Sequence, residues 1–264
     1  MKRLILCTFL MCGSTLAINY EKSGEWMGLS EGHQLGWSVA LSANGDTIAM
    51  GAINFSNSRG ITYIYRWNGS SWSLLGSGIV GESDYDFSAE SIALSADGNI
   101  VAIGASENDG NGTNSGHVRV YQWNGSSWIQ LGNDINGESV NDMSGFSVSL
   151  NANGTIVAIG AILNDGNGPE SGHVRIYQWN GYFWSQLGND IDGEAAVDIS
   201  GFSVSLNADG NIVAIGSILA DGINGSETGH ARVFQLNGSS WNQLGNDIDG
   251  ANSGDESGHR VALN

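Results

Sequence analysis

Residues 145–188 read GFSVSLNANGTIVAIGAILNDGNGPESGHVRIYQWNGYFWSQLG, and close copies of this text precede and follow it. The copies can be aligned on the leucine that ends the first apolar run in each of them. These leucines are Leu41, Leu94, Leu150, Leu206 and Leu263, which lie 53, 56, 56 and 57 residues apart. A fixed period of this size is typical of a repeat architecture rather than of one globular core.

Each copy predicts four short strands. Residues 147–150 alternate small polar and apolar side chains, and after a turn the β-branched run 155–159 gives a second strand. A loop rich in Gly, Asn and Asp, 160–172, leads to a third strand at 173–179. An Asn-Gly turn then leads to a fourth strand at 184–187.

The stacking of these sheets decides the fold class. A sheet of four antiparallel strands cannot bury both faces by itself, and stacking such sheets radially buries them. The sequence therefore predicts an all-β fold, a β-propeller-like array of four-stranded antiparallel blades with about four complete repeats and one orphan strand. A β-solenoid is the alternative architecture, but its coils are shorter than this period and lack hairpin turns.

The copies also predict domain boundaries. We expect a signal peptide at 1–17, an N-terminal segment at 18–35 that could supply a closing strand, and β-propeller repeats over 36–264. The individual copies are expected at about 36–88, 89–144, 145–200 and 201–257, with the start of a fifth at 258–264. This inventory favours an open arc or a piece of a longer array. The alternatives are that residues 18–27 pair with the orphan strand, or that the ring closes between chains.

The first residues resemble a secretory signal, because two basic residues precede an apolar run at 4–11 and small residues up to Ala17. The apolar run is too short to span a bilayer, so no membrane insertion is expected. A lipoprotein signal ending at Cys12 is the alternative. Cys7 and Cys12 are the only cysteines of the sequence, so no disulfide is expected in the mature chain. We therefore expect a protein that is secreted or displayed at the cell surface.

The acidic composition limits the classes of partner. The formal net charge is −18 at pH 7 and the sequence pI is ≈ 4.3. Such a surface repels nucleic acid and anionic lipid, so neither is an expected partner. The expected partner is an extracellular protein or a glycan.

The first two strands of each copy resemble the FG-GAP repeats that build the propeller of integrin α subunits. Residues 145–148 and 201–204 read Gly-Phe-Ser-Val and resemble the opening of that motif with its Phe-Gly order reversed. Residues 102–105 and 158–161 read Ala-Ile-Gly-Ala and resemble its ending without the proline. The resemblance covers about 36–264, and it implies a blade fold, secretion or surface display, and recognition of a protein or matrix partner.

Calcium is the cofactor that this resemblance suggests. In that family the calcium ligands lie in the turn between the first two strands, and this sequence does not have the same ligands there. The corresponding turns, such as 96–99 and 208–211, lack the carboxylates that calcium needs. The loop between the second and third strands is the better candidate, because Asp and Asn oxygens alternate there with glycines. The candidate calcium ligands are Asn108, Asp109, Asn111, Asn164, Asp165, Asn167, Asp221 and Asn224. A loop whose side chains satisfy its own backbone is the alternative.

Histidine and arginine recur at fixed places of the third strand. The histidines are His117, His173 and His230, and the arginines two residues later are Arg119, Arg175 and Arg232. We expect hydrogen-bonded core or rim histidines rather than metal ligands, because no further His or Cys stands at ligand spacing. The arginines are expected to form ion pairs between blades, with the aspartates Asp134, Asp190 and Asp247.

Tryptophans flank the turn between the third and fourth strands. The pairs are Trp67 and Trp72, Trp123 and Trp128, and Trp179 and Trp184, whereas the last copy has Leu236 and Trp241. Such pairs pack across strands or form platforms on which sugars stack. The leucine in the last copy favours packing, because packing tolerates Leu and stacking does not.

Asn-x-Ser/Thr triplets mark glycosylation candidates if the source is a eukaryote. The candidates are Asn54, Asn68, Asn111, Asn124, Asn153, Asn224 and Asn237. Asn-Gly is also the favoured hairpin dipeptide, so turn formation is the alternative explanation.

The sequence has few features that indicate catalysis. Acidic residues such as Asp142 and Asp198 recur in like environments, whereas a catalytic acid and base need distinct ones. We therefore expect a secreted or cell-surface, non-catalytic repeat protein for adhesion or for protein or matrix recognition through rim loops. The alternatives are a carbohydrate-binding, lectin-like propeller that uses the Trp pairs and a glycan-cleaving enzyme of propeller fold.

Overall fold

The computed structural model describes residues 32–264, so the expected signal peptide at 1–17 lies outside the described residues. Within them the chain forms twenty β-strands and one four-residue helix, α1 (Phe55–Ser58), whose Ser56 and Asn57 have left-handed φ angles. The strands make four antiparallel sheets, which we call blades 1 to 4. The all-β prediction is confirmed.

Each blade contains five strands in chain order. Blade 1 consists of β1 (Leu35–Leu41), β2 (Thr47–Ala52), β3 (Ile61–Trp67), β4 (Trp72–Leu74) and β5 (Ile79–Val80). Blade 2 consists of β6 (Ser91–Leu94), β7 (Ile100–Ala105), β8 (His117–Trp123), β9 (Trp128–Gln130) and β10 (Ile135–Asn136). Blade 3 consists of β11 (Ser144–Leu150), β12 (Ile156–Ala161), β13 (His173–Trp179), β14 (Trp184–Gln186) and β15 (Ile191–Asp192). Blade 4 consists of β16 (Ser200–Leu206), β17 (Ile212–Ser217), β18 (His230–Asn237), β19 (Ser240–Gln243) and β20 (Ile248–Asp249).

The fourth strand of each blade is interrupted. In blade 3, β14 pairs with residues 177–179 of β13, and β15 pairs with residues 173–174 of the same strand. Both short strands lie on one edge of β13, because β12 occupies the other edge along its whole length. The four-stranded blade predicted from the sequence therefore has an outer strand in two pieces.

The hydrophobic core lies between the blades rather than within one sheet. Three clusters of buried side chains join blade 1 to blade 2, blade 2 to blade 3, and blade 3 to blade 4. In the last cluster, Val174 and Ile176 of blade 3 pack with Val213 and Ile215 of blade 4. The first strands of successive blades also contact one another, which aligns them along a common axis. This stacking confirms the propeller-like arrangement.

A close approach of two backbones joins the second strand of one blade to the first strand of the next. A Cβ atom on Gly160 would lie 2.2 Å from the carbonyl oxygen of Gly201, so only glycine fits there. The hydroxyl of Ser147 donates a hydrogen bond of 2.6 Å to the same carbonyl. At the preceding interface Gly104 takes the place of Gly160. The close packing of neighbouring blades therefore explains why glycine recurs in the repeated Ala-Ile-Gly-Ala sequence.

The tryptophans of the hairpins also join the blades. The ring centroids of the three Trp pairs are 5.7, 5.5 and 5.4 Å apart. Nε1 of Trp184 donates a 2.8 Å hydrogen bond to the carbonyl oxygen of Leu131 in the preceding blade. Trp128 and Trp241 make the same bond to their preceding blades. These bonds support packing as the role of the tryptophans.

The outer faces of the first and last blades are exposed in the described chain. Leu41 of blade 1 is 58% exposed, whereas Leu150 at the same repeat position is 8% exposed. Ile248 of blade 4 is 61% exposed, whereas Ile191 of blade 3 is 5% exposed. Each inner position is covered by a neighbouring blade, which explains the contrast.

The segment 258–264, predicted to be an orphan strand, lies against blade 4 as the first strand of a further blade would, but it does not form a strand. The carbonyl oxygen of Gly258 accepts a 2.7 Å hydrogen bond from Ser203 Oγ, as Gly201 does from Ser147. These residues form no β-ladder, because the described chain offers them no second strand to pair with.

Candidate functional site

A histidine, an aspartate and a glutamate converge at each of the three blade interfaces. In every case their ligating atoms lie within 4.8 Å of one another. We call these groups the interface triads, and they comprise Glu82 with His117 and Asp134, Glu138 with His173 and Asp190, and Glu194 with His230 and Asp247. Each triad offers one imidazole nitrogen and two carboxylates, and this set of atoms could hold a metal ion.

The strand order explains why each triad forms. At the second interface, His173 begins β13, and Asp190 lies in the turn between β14 and β15 of the same blade. Because β15 pairs with the start of β13, this turn lies beside His173. Nδ1 of His173 is 3.9 Å from Oδ2 of Asp190, and the histidine side chain is 1% exposed. Glu138 follows β10 of blade 2 and completes the triad from across the interface.

The arginines pair between blades as predicted, but with glutamate rather than aspartate. Nη1 of Arg175 is 3.2 Å from Oε1 of Glu138, and its Nη2 donates a 2.8 Å hydrogen bond to the carbonyl oxygen of Asn136. Arg119 and Arg232 have the same kinds of partner. Within residues 32–264, no ion pair joins these arginines to the predicted aspartates, so that part of the prediction is wrong, and Gln186 donates instead to Oδ1 of Asp190 at 2.5 Å. Gln130 and Gln243 donate in the same way to Asp134 and Asp247.

The interface histidines are buried as predicted, but within residues 32–264 the predicted hydrogen bond is missing at Nε2. Burial and then the charge of Arg119 lower the pKa of His117 to about 4, against the effect of Asp134. Burial and then Arg175 lower the pKa of His173 to about 4 in the same way. Both imidazoles are therefore neutral at pH 7. Nε2 of all three interface histidines is buried and has no hydrogen-bond partner within residues 32–264.

The second and third interfaces carry one more carboxylate than the first. Oδ1 of Asp192 is 4.0 Å from Nδ1 of His173, and Oδ1 of Asp249 is 4.0 Å from Nδ1 of His230. The first interface has Asn136 at this repeat position. Burial raises the pKa of Asp192, the neighbouring Asp190 raises it further, and Arg232 opposes the rise.

The loops predicted to bind calcium use their side chains in hydrogen bonds. Nδ2 of Asn108 donates a 2.9 Å bond to Oδ2 of Asp86, and Oδ1 of Asp109 accepts a 2.8 Å bond from the N–H of Asn114. The equivalent residues of blades 3 and 4 repeat these bonds in part. Within residues 32–264, no metal-competent grouping of His, Cys, Asp and Glu includes the aspartates of these loops. Calcium binding by these loops stays a prediction.

One asparagine of each loop instead supports a neighbouring segment. Nδ2 of Asn111 donates to the carbonyl oxygens of Gly137 and Glu138 at 2.9 and 3.0 Å. Asn167 does the same for the segment that contains Glu194. These asparagines therefore fix the backbone that presents the glutamate of the next interface triad.

The acidic residues considered for catalysis are bound within turns. Asp142 is 3% exposed, and its Oδ2 accepts hydrogen bonds from the N–H of Ser139 and from Nδ2 of Asn164. Asp198 is 5% exposed, and its Oδ2 accepts from two successive backbone N–H groups. Both carboxylates thus accept hydrogen bonds from backbone N–H groups at equivalent positions of the repeat.

Blade 2 departs from the repeat at Glu90, where the next blades have Phe146 and Phe202. Burial raises the pKa of Glu90, a hydrogen bond from Ser106 opposes the rise, and Glu107 adds to it. The folded state therefore holds this proton more tightly than the unfolded state. The contribution of Glu90 to stability falls as the pH rises above the ordinary carboxyl pKa of 4.5.

We expect Glu90→Gln to raise the free energy of unfolding by about 0.5–1 kcal/mol at pH 7 and to change it little at pH 4. The variant removes a charge that burial disfavours and keeps the side-chain shape. Urea unfolding at the two pH values measures both differences. Glu107→Gln is the control, with a smaller expected effect, and an equal effect of Glu90→Gln at both pH values would contradict the assignment.

Two exposed aromatic side chains escaped the sequence analysis. Tyr182 and Phe183 form the tip of the β13–β14 hairpin and are 86% and 58% exposed. The N–H groups of both residues donate to Oδ1 of Asn180, at 2.9 and 3.0 Å, which fixes the hairpin. Blades 1 and 2 have Ser-Ser at these positions, 70–71 and 126–127. This departure from the repeat was the signal available in the sequence.

The glycosylation candidates lie in turns and loops, apart from Asn237 at the end of β18, and all but the half-buried Asn54 are exposed. Nδ2 of Asn111 and Nδ2 of Asn224 donate to backbone carbonyls, so a glycan at either position would replace a donor in those bonds. Glycosylation stays a prediction. No helix within residues 32–264 is long and apolar enough to cross a membrane.

No family model matches the chain, and no curated protein matches its sequence. Solved structures do match it. The hydrazine synthase of Kuenenia stuttgartiensis has a TM-score of 0.52 at 10% identity, covering 86% of this chain and 53% of that chain. The periplasmic gluconolactonase PpgL of Pseudomonas aeruginosa has a TM-score of 0.52 at 14% identity, covering 80% of this chain and 56% of that chain. The Cps50 (Swd1) β-propeller domain of Myceliophteria thermophila has a TM-score of 0.50 at 11% identity, covering 83% and 58%.

These likenesses concern the fold. The chain spans between 53% and 58% of the length of the three structures, and identities this low show a shared fold alone. A propeller-like repeat fold with antiparallel blades is therefore shown. The narrower resemblance to FG-GAP repeats stays a prediction.

Proposed function

We propose that the chain is a secreted or cell-surface, non-catalytic recognition protein that binds an extracellular protein or matrix partner. Its blades would act as a rigid support, and the rim loops and turns would make the contacts. The location rests on the signal-like residues 1–17, and the acidic composition restricts the partner to surfaces that tolerate negative charge.

The exposed aromatic hairpin of blade 3 carries this proposal. The residues that recur in the blades are used in bonds within the protein, as the Trp hairpins and the turn aspartates show. Tyr182 and Phe183 occur in one blade, remain exposed, and sit on a hairpin whose backbone is fixed. Rigid, exposed aromatic side chains are typical of the residues that dominate binding energy in protein interfaces.

The two alternative functions receive less support from the geometry. In the Trp pairs of blades 2 and 3, which a carbohydrate-binding propeller would use, the second tryptophan donates its indole N–H to the preceding blade. The acids that a glycan-cleaving enzyme would use, Asp142 and Asp198, are buried and bonded to turn backbone. The fold does not decide between the classes, because a gluconolactonase shares it.

The double variant Tyr182→Ser/Phe183→Ser tests the proposal, because it restores the Ser-Ser of the other hairpins. We expect the chain to bind at least one of immobilised collagen, fibronectin and laminin, and the variant to bind at least about tenfold more weakly. The midpoint of unfolding should not change. Surface plasmon resonance measures the affinities.

Ile129→Ser is the matched control, because it removes an exposed apolar side chain from the hairpin of blade 2. Its binding should equal that of the natural chain. Binding to a glycan array in place of the matrix proteins would shift the function to the carbohydrate alternative. Equal binding by the double variant and the natural chain would contradict the assignment to this hairpin.

A further inference from the structure

We propose that each interface triad binds one divalent transition-metal ion of the zinc class, so that the ions join consecutive blades. The ligands would be Nδ1 of the histidine and one oxygen from each carboxylate, with water completing the coordination. This proposal goes beyond the recognition function, and it differs from calcium binding in the loops by its residues, its position and its metal.

The distances suit ligands of one ion better than they suit hydrogen bonds. At the first interface, Nδ1 of His117 is 3.9 Å from Oε2 of Glu82 and 3.8 Å from Oδ2 of Asp134. Both distances are too long for a hydrogen bond. A zinc ion holds nitrogen and oxygen at about 2.0–2.2 Å, so its tetrahedral ligand atoms are about 3.4 Å apart. These two distances would have to shorten by about 0.4–0.5 Å, and the ligand atoms of every triad already lie within 4.8 Å of one another.

The state of the histidines is an independent sign of a missing partner. The side chains of His117, His173 and His230 are 1–2% exposed, and Nε2 of each has no hydrogen-bond partner within residues 32–264. The carboxylate oxygens nearest to Nδ1 lie 3.8–4.0 Å away, which is too far for a hydrogen bond. Buried polar groups almost always have a partner. A metal ion at Nδ1 would supply a partner for that nitrogen of the ring.

The ligand types select the metal. Calcium takes six to eight oxygen ligands, whereas imidazole favours zinc and its transition-metal neighbours. One imidazole with two carboxylates leaves an open position for water, as in three-ligand zinc sites. A zinc-class ion is therefore the better occupant of the triads.

The charges around the triads are compatible with a bound cation, and they predict which of the three triads binds it most tightly. At the first interface Arg119 faces Oε1 of Glu82, which leaves Oε2 directed at the histidine. The second and third interfaces add Asp192 and Asp249, each 4.0 Å from Nδ1 of the histidine, where the first has Asn136. We therefore expect the second and third sites to bind more tightly than the first.

Solvent reaches the second triad through an open cleft. The cleft has a volume of about 520 Å³, and its lining includes Glu138, Asp190 and Asp192. A hydrated ion can thus arrive at the carboxylates without opening the core between the blades. The glutamate is 44% exposed, so replacing it should not disturb folding.

Isothermal titration of the chelator-treated chain with zinc chloride tests the proposal. We expect three equivalents per chain, one for each triad, with the weakest at the first interface. Glu138→Gln should weaken one equivalent by at least about tenfold or remove it. The triple variant Glu82→Gln/Glu138→Gln/Glu194→Gln should bind none. Circular dichroism confirms that the variants are folded.

Asp209→Asn, which removes an exposed carboxylate outside the triads, is the matched control and should keep three equivalents. Zinc binding whose stoichiometry is the same in the control and the triple variant would overturn the proposal, since the ions would then lie elsewhere. Absence of zinc binding would overturn it as well. Calcium binding in its place would also overturn it and would support the loop prediction.

Discussion

Gly160→Ala is expected to lower the free energy of unfolding by about 3 kcal/mol. The new Cβ would lie 2.2 Å from the carbonyl oxygen of Gly201 and 2.4 Å from Oγ of Ser147. The first of these atoms belongs to the backbone of the next blade, so the two blades must separate or the strands must shift. Both changes weaken the core between blades 3 and 4 and the hydrogen bond from Ser147. Urea unfolding followed by tryptophan fluorescence measures the loss.

Gly216→Ala is the matched control for this effect. Its Cβ would lie 1.9 Å from the carbonyl oxygen of Gly258, which belongs to the segment 258–264. That segment has no β-ladder to hold it, so it can move away at little cost. We expect a loss of about 1 kcal/mol or less. Equal losses in the two variants would contradict the view that blade-to-blade contact makes the glycine necessary.

Arg175→Met is expected to lower the free energy of unfolding by about 2–3 kcal/mol. The arginine is 5% exposed, donates to the carbonyl oxygen of Asn136, and lies over the ring of Tyr177 with its Cζ 5.5 Å from the centroid. Methionine fills a similar volume but leaves the carbonyl of Asn136 and the carboxylate of Glu138 without this donor. Chemical unfolding at pH 7 measures the difference.

Glu138→Gln separates the ion pair from the backbone bond. Its side chain is 44% exposed, and exposed ion pairs contribute little, so the expected loss is below about 1 kcal/mol. A loss as large as that of Arg175→Met would mean that the ion pair, rather than the bond to Asn136, holds the interface. If Arg175→Met is as stable as the natural chain, the arginine has no role in stabilising the interface.

The strands could be predicted because their signals are local. Residues 155–159 are β-branched and apolar, and they follow an Asn-Gly turn, so a strand after a hairpin turn was evident. The repeat period then led to stacked blades. The second piece of the fourth strand, β15, could not be predicted because it has only two residues and its pairing with β13 depends on the path of the chain through residues 187–190.

The triads could not be predicted from spacing within one copy. Glu138 and His173 are 35 residues apart and belong to different blades, so their contact depends on how one sheet is placed against the next. A signal did exist, because Glu82, Glu138 and Glu194 recur with the repeat period. Asp134, Asp190 and Asp247 also recur with the repeat, so periodicity alone does not distinguish glutamate from aspartate as the partner of the arginines.

The divided outer strand has a consequence for the behaviour of the chain in crowded solution. A foreign strand can extend a sheet where a long row of backbone N–H and C=O groups is free. Here the outermost pieces are three or four residues long, as in β14 and β19, and two residues long, as in β15 and β20. Neither piece offers a template of the length that growing fibrils require. The outer edge of each sheet therefore offers little for a foreign strand to pair with, which favours a chain that stays dispersed at high concentration.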